Sequence, residues 1–196
     1  YSSLNYKDAL AITNRGPVVR RWPMVPGIDG AGVVERSSVP QFSEGTEVAV
    51  TGWGLGETRW GCLAGSVFLP REFPAALPVG LSLREAMAVG TAGLTAMLCI
   101  LRIEGHGVCP QDGPVLVTGA SGGVGGMALM FLKSLGYTAV ASTGRVEEAD
   151  YLESIGASLV IDRAQLAKPG KPLAKEEWAA VIDSVGSVTL ANACAA

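Results

Sequence analysis

The chain has 196 residues, of which 48% are hydrophobic, only 17% are charged and 26 are glycine, a composition that excludes a disordered protein and suits a packed α/β one. A formal net charge of −3 argues against nucleic acid as the main partner. Cys62, Cys99, Cys109 and Cys194 lack Cys-x-x-Cys spacing and His106 is the lone histidine, so no metal site is expected and the thiols read as incidental in a reducing compartment.

In chain order, Asp8 to Thr13 suits one or two helical turns. Short apolar runs between glycines and prolines then read as strands of a mostly β unit over residues 1–77: Ala31 to Val34, Glu47 to Val50 behind a Gly45 turn, and Gly65 to Leu69. From Pro78 the texture changes. Ser82 and Glu85 form a capping box for a helix, and a second helical pattern, Leu94 to Glu104, follows a glycine interruption at Gly90. The apolar run Ala86 to Leu101 is broken by Gly90, Thr91, Gly93 and Thr95, which reads as a buried helix beside a site and not as a membrane span. Strands and helices then alternate through residues 78–196: strand 115–118, helix 126–135 ended by Gly136, strand 138–142, helix 147–155 ended by Gly156, and strand 158–161. A polar stretch around Lys168 to Lys175 crosses to strand 179–183. Apolar strands alternating with helices predict a parallel sheet covered on both faces.

The chemistry sits in Val115 to Gly126, a β-branched strand, a glycine-rich turn and a helix. Such a turn lets a pyrophosphate approach backbone N–H groups at the helix start, where the dipole favours negative charge. Gly125-Gly126-Met127 lacks the lysine of a phosphate-transfer loop. Two patterns stay open on the glycines alone. One is the short-chain dehydrogenase spacing Thr118-Gly119-x-x-x-Gly123-x-Gly125; the other is the dinucleotide fingerprint Ala120-x-Gly122-x-x-Gly125. The second is preferred because more than 110 residues precede the strand. The next strand ends in Ser142-Thr143-Gly144-Arg145, without the carboxylate that would bind a ribose 2′-OH about 20 residues past the glycines. Hydroxyls and a guanidinium suit a 2′-phosphate, so NADPH is expected over NADH.

Several segments resemble the medium-chain dehydrogenase/reductase superfamily, and within it the acrylyl-CoA reductase group that includes proteins labelled quinone oxidoreductases. They are Ser2 to Leu10, Pro26 to Gly32, Thr51 to Gly54, Gly90 to Leu98 and Thr118 to Gly125. Zinc-dependent relatives carry a cysteine where this chain has Asn5, and Gly-His-Glu where it has Gly27-Ile28-Asp29; neither asparagine nor isoleucine replaces thiolate or imidazole.

The resemblance implies a GroES-like mostly β domain over residues 1–77 and an incomplete Rossmann doubly wound sheet over 78–196. It also implies zinc-free hydride transfer from NADPH to the activated C=C of an enoyl thioester such as acryloyl-CoA. Asn5, Tyr6 and Asp8 are the implied catalytic residues, with Tyr6 the favoured hydrogen-bond donor. Tyr6, Thr91, Ser121, Gly122, Gly123, Val124, Gly125, Thr143, Gly144 and Arg145 are the implied cofactor contacts, and Asp183 and Gly186 fall near the adenosine ribose. A quinone or enone reductase, or a non-catalytic NADPH-binding protein, are the alternatives. The resemblance further implies chain before Tyr1 and after Ala196, a homodimer when full length, a cytoplasmic setting, and no membrane or nucleic-acid partner.

Overall fold

The computed structural model describes residues 1–171 and 173–196; Pro172, within the polar stretch expected to cross to the last strand, lies outside the described residues. The chain forms two compact units, residues 1–91 and 92–196. The texture of the sequence changes at Pro78. Packing divides later, because Ala86 and Met87 are buried with Ala31, with Leu77 and Leu81 against them.

The first unit contains helix α1 (Tyr6–Thr13) and an antiparallel sheet ordered β1 (Asp29–Val33), β2 (Glu47–Thr51), β3 (Ala75–Ala76). Gly45 makes the turn into β2 with φ 86°. The segment Gly65 to Leu69, expected as a strand, is not one. Val67 and Leu69 do pack on Val50, Leu55 and Cys62 while Phe68 points to solvent, so the alternation is real. In the sheet the central strand β2 is paired on one side by β1 and on the other by the alanine pair of β3, and this segment packs on the core without joining them.

Helix α2 (Leu83–Gly105) begins at the expected capping box: Glu85 Oε2 accepts from the Ser82 backbone N–H at 2.9 Å and from its hydroxyl at 2.6 Å. The expected interruption is confined to Gly90, at φ 48° and ψ −154°, a backbone state open essentially to glycine alone. Residues through Thr91 belong to the first unit and those from Ala92 to the second. The expectation of a buried helix holds for one face only. Ala96 and Ile100 are fully buried in the core, whereas Leu94, Leu98 and Leu101 are exposed. By length and composition α2 is the one helix among the described residues apolar enough to cross a membrane.

The second unit is built on β4 (Val115–Thr118), α3 (Gly123–Ser134), β5 (Ala139–Thr143), α4 (Ala149–Ile155), β6 (Ala157–Asp162), β7 (Ala180–Ile182) and α5 (Ser187–Ala195). Its four strands are all parallel, in the order β6-β5-β4-β7. This is half of the doubly wound arrangement, with the reversal of strand order between β4 and β7, where ligands bind outside the carboxyl ends of the strands. β4 and β5 are buried along their whole length. One face packs on Leu129, Leu132 and Leu152; the other, through Leu116 and Val140, packs on Leu166 and Ala193. Each leucine or valine among them contributes about 1.5–3 kcal/mol on burial. Helix α3, expected from Gly126, starts at Gly123, and the residues expected as the head of α4 form a separate 3-10 turn, Val146–Glu148. Gly136 (φ 82°) and Gly156 (φ 135°) end α3 and α4 as expected.

Candidate functional site

The glycine turn occupies the carboxyl end of β4. Gly119 takes φ 61°, and the Gly122 N–H donates to its carbonyl at 2.9 Å, closing the turn; Gly122 then caps α3 in an extended conformation. Gly123 and Val124 begin the helix. Gly125 is the point of closest approach, because a Cβ there would lie 2.5 Å from the Gly119 carbonyl oxygen and 2.6 Å from Ala120 Cα. The missing side chain is thus what lets α3 start hard against the turn, with its first N–H groups at the switch point. On the other side of that point, the Asp183 carboxylate accepts from the Thr118 hydroxyl and from the Gly186 N–H (2.7 Å), while the Ser184 hydroxyl donates to the Thr118 carbonyl at 3.0 Å. Asp183 and Gly186 therefore brace the β7 loop against the end of β4.

At the tip of β5, Ser121 and Thr143 join the two loops through a 2.7 Å hydroxyl–hydroxyl hydrogen bond. The Thr143 hydroxyl also accepts from the Arg145 N–H at 3.0 Å. The Arg145 guanidinium donates to the Ser121 carbonyl at 2.8 Å and pairs with Glu148 at 2.9 Å. Ser121, Thr143, Gly144 and Arg145, expected as cofactor contacts, are thereby brought together. A second guanidinium, missed in the sequence, joins them. The Arg163 side chain lies against Gly144, where an added Cβ would come within 2.6 Å of its Nε. Strand pairing explains this: Thr143 is in register with Asp162, so the residues just beyond each strand are neighbours. An arginine after a third strand is the signal that could have found it. The acid at that tip, Asp162, is occupied locally, its carboxylate accepting the Ala164 N–H at 2.8 Å.

In the first unit, Ser3, Asn5 and Thr91 gather around a fully buried carboxylate. Asp29 accepts from the Ser3 N–H (3.1 Å) and hydroxyl (2.6 Å), the Asn5 amide (3.2 Å) and the Thr91 N–H (3.0 Å). Asp8 is also buried. Its two oxygens accept the Asn5 N–H and the Ile28 N–H, each at 2.9 Å, fixing the start of α1 to the segment before β1. Tyr6 stands apart from both: it begins α1 and is 81% exposed, so its phenol is the accessible group of the three expected catalytic residues. Beside it, Lys7 pairs with Glu57, and that hydrogen bond holds the Glu57 carboxyl below the usual carboxylate range. Burial, with Asp29 nearby, pushes the Cys62 thiol up to about 11.

The alcohol dehydrogenase GroES-like domain family matches residues 1–94. The acrylyl-CoA reductase AcuI of Ruegeria pomeroyi is 49% identical over 193 residues, covering 98% of this chain and 58% of that protein. The crystal structure of the yhdH oxidoreductase from Salmonella enterica in complex with NADP superposes with a TM-score of 0.96 at 52% identity, covering 99% of this chain and 60% of that one. Bacillus subtilis protein yhfP, solved with NAD bound, superposes with a TM-score of 0.93 at 46% identity, covering 99% of this chain and 59% of that one. The chain thus spans about 60% of the length of the relatives it matches.

Proposed function

The chain belongs to the medium-chain dehydrogenase/reductase superfamily, in its zinc-free, quinone-oxidoreductase-like branch, and on that premise we propose that it serves the NADPH-dependent reduction of an enoyl thioester of the acryloyl-CoA type. The observation that carries the cofactor assignment is the pair Arg145 and Arg163 flanking Gly144, beside acids that are already engaged, Glu148 by Arg145 and Asp162 by the Ala164 N–H. Two guanidinium groups suit a 2′-phosphate dianion, which accepts charge-assisted hydrogen bonds from both. A 2′-hydroxyl would instead call for a carboxylate. The glycine turn fits the pyrophosphate, since Gly125 leaves no Cβ between the helix start and the turn.

When bound, the nicotinamide supplies a hydride to the β-carbon of the conjugated thioester, and a proton completes the α-carbon. The task of the chain's own residues is to hold the thioester carbonyl, where negative charge gathers as the hydride arrives. Tyr6 is the donor we assign to that oxygen. Asn5 and Asp8 act behind it, one tied to Asp29 and the other fastening the first turn of α1, so that the phenol is presented from a fixed backbone. Thr91 is held by the same carboxylate and is assigned to the nicotinamide end of the cofactor. The homologous reductase named for acrylyl-CoA supports this substrate class over a quinone. The expected setting is the cytoplasm, and the expected assembly a homodimer.

The test is a steady-state comparison of acryloyl-CoA with a quinone, each with NADPH and NADH, using the full-length protein. Oxidation of NADPH by the thioester at a kcat/KM at least tenfold above that for the quinone is expected. Turnover of the quinone alone would overturn the thioester assignment, and equal use of NADH would overturn the role given to Arg145 and Arg163.

A further inference from the structure

Outside both sites, the first unit carries a cavity of about 500 Å³, within the usual size range of small-ligand pockets. Its walls are unusual for a chain with so few charges. Trp22, Trp60, Phe68 and Phe73 supply aromatic surface, and Arg21 and Arg59 are its only ionisable lining groups among the described residues. Within these 196 residues, Trp22, Trp60 and Phe68 are 62%, 65% and 95% exposed. Phe73 is braced from behind by Trp53, stacked on it at 4.5 Å. The Arg59 guanidinium sits 5.1 Å from the Phe73 ring centre and donates to the Trp53 carbonyl at 2.9 Å, which fixes its plane while leaving other N–H groups free.

Neither arginine has an ion-pair partner among the described residues. The neighbouring acid, Glu57, is already shared between Lys7 and Arg20. That carboxylate also ties the cavity to α1: its residue lies two positions from Arg59, Arg20 precedes Arg21, and Lys7 follows Tyr6. Exposed aromatic faces beside unpaired guanidinium groups are the chemistry that recognises a heteroaromatic base bearing a phosphate, by stacking and bidentate hydrogen bonding.

We propose that this cavity binds the 3′-phosphoadenosine end of the coenzyme A thioester, the adenine against the Trp22 and Trp60 surface and the phosphate between Arg21 and Arg59. This rests on the acyl-CoA reading above. The other adenosine phosphate to be accommodated, that of the dinucleotide, is assigned to the glycine turn and Arg145 of the second unit, which leaves the cavity for coenzyme A.

The experiment has two arms on the full-length protein. Calorimetric titration with adenosine 3′,5′-bisphosphate should show binding that weakens at least tenfold in Arg21→Ala and in Arg59→Ala but not in Arg145→Ala. Adenosine 2′,5′-bisphosphate should show the reverse. In turnover, the ratio of kcat/KM for acryloyl-CoA to that for acryloyl-pantetheine should fall about tenfold in each cavity variant. An unchanged ratio, or 3′,5′-bisphosphate binding lost only in Arg145→Ala, overturns the cavity assignment while leaving the thioester reading intact. If neither thioester is reduced, that reading fails, and the titration still decides the cavity.

Discussion

Gly125 and Gly126 are adjacent in the first turns of α3, yet substituting each by alanine should move the protein in opposite directions. At Gly125 the new Cβ would lie 2.5 Å from the Gly119 carbonyl oxygen, 2.6 Å from Ala120 Cα and 2.9 Å from the Ala120 carbonyl oxygen. All three are backbone atoms, so no side-chain rotation relieves the contact. Either the turn or the helix start must shift, at the cost of about 1–3 kcal/mol typical of overpacking. At Gly126 the nearest atoms are Ile155 Cδ1 at 3.7 Å and the Ala120 carbonyl oxygen at 3.9 Å, ordinary contact distances. There alanine removes the entropic penalty of a helical glycine and contributes about 0.5–1 kcal/mol. The two variants should therefore differ by about 1.5–4 kcal/mol. Urea unfolding followed by far-UV circular dichroism measures the difference, and amide hydrogen exchange in β4 and α3 places it in the second unit. NADPH titration adds the functional consequence, with Gly125→Ala weakening binding and Gly126→Ala leaving it near the wild-type value. Equal stability of the two variants would refute the claim that the missing Cβ at Gly125 sets the cradle.

Arg145→Ala and Arg163→Ala should each raise the KM for NADPH roughly 10- to 100-fold, the worth of one charge-assisted hydrogen bond, with little change in the KM for NADH; parallel losses for both nucleotides would remove the 2′-phosphate role. Cys62, with its thiol at about 11, should resist iodoacetamide at pH 8 while the exposed Cys109 and Cys194 react, as peptide mapping by mass spectrometry would report. Because its folded value lies above the ordinary 9.0, the stabilisation linked to its proton is complete below pH 9 and is lost as pH rises towards 11. That loss should be absent in Cys62→Ala, and identical pH profiles would refute it. Gly90→Ala should destabilise the first unit by at least about 1–3 kcal/mol from backbone strain, with the new Cβ also 2.9 Å from the Asp29 carboxylate; a melting temperature unchanged from wild type would contradict this.

What the sequence made legible is local. The β4 strand and its turn stand out because a β-branched run meets glycines, and the Ser82–Glu85 box because its spacing is itself the mechanism. Where the reading missed, a non-local contact decided. Glycine propensity delays α3 to Gly126 on paper, but the helix begins at Gly123 because the turn needs the Cβ-free contact at Gly125. Ala75–Ala76 has no strand signature yet pairs with β2, whereas Val67 and Leu69 have the right alternation and pack on the core without joining the sheet. Arg163 joins the cofactor-site residues through the register of β5 with β6, a pairing that no pattern within either strand announces.

The cluster around Asp29 carries this furthest. In the sequence, Asn5, Asp8, Gly90 and Thr91 are separate signals, two read as catalytic, one as a helix break and one as a cofactor contact. In the structure they form one system. A buried carboxylate without a cation among the described residues is tolerable only when its oxygens are filled by hydrogen bonds, and Ser3, Asn5 and Thr91 supply them. Thr91 can aim its N–H at Asp29 because the helix breaks one residue earlier, and the break needs glycine because its backbone state excludes a side chain and a Cβ would meet the carboxylate itself. The polar residues of this cluster therefore satisfy one another, and the burden of contacting substrate from α1 falls on Tyr6, whose side chain alone among the three expected catalytic residues stands open to solvent.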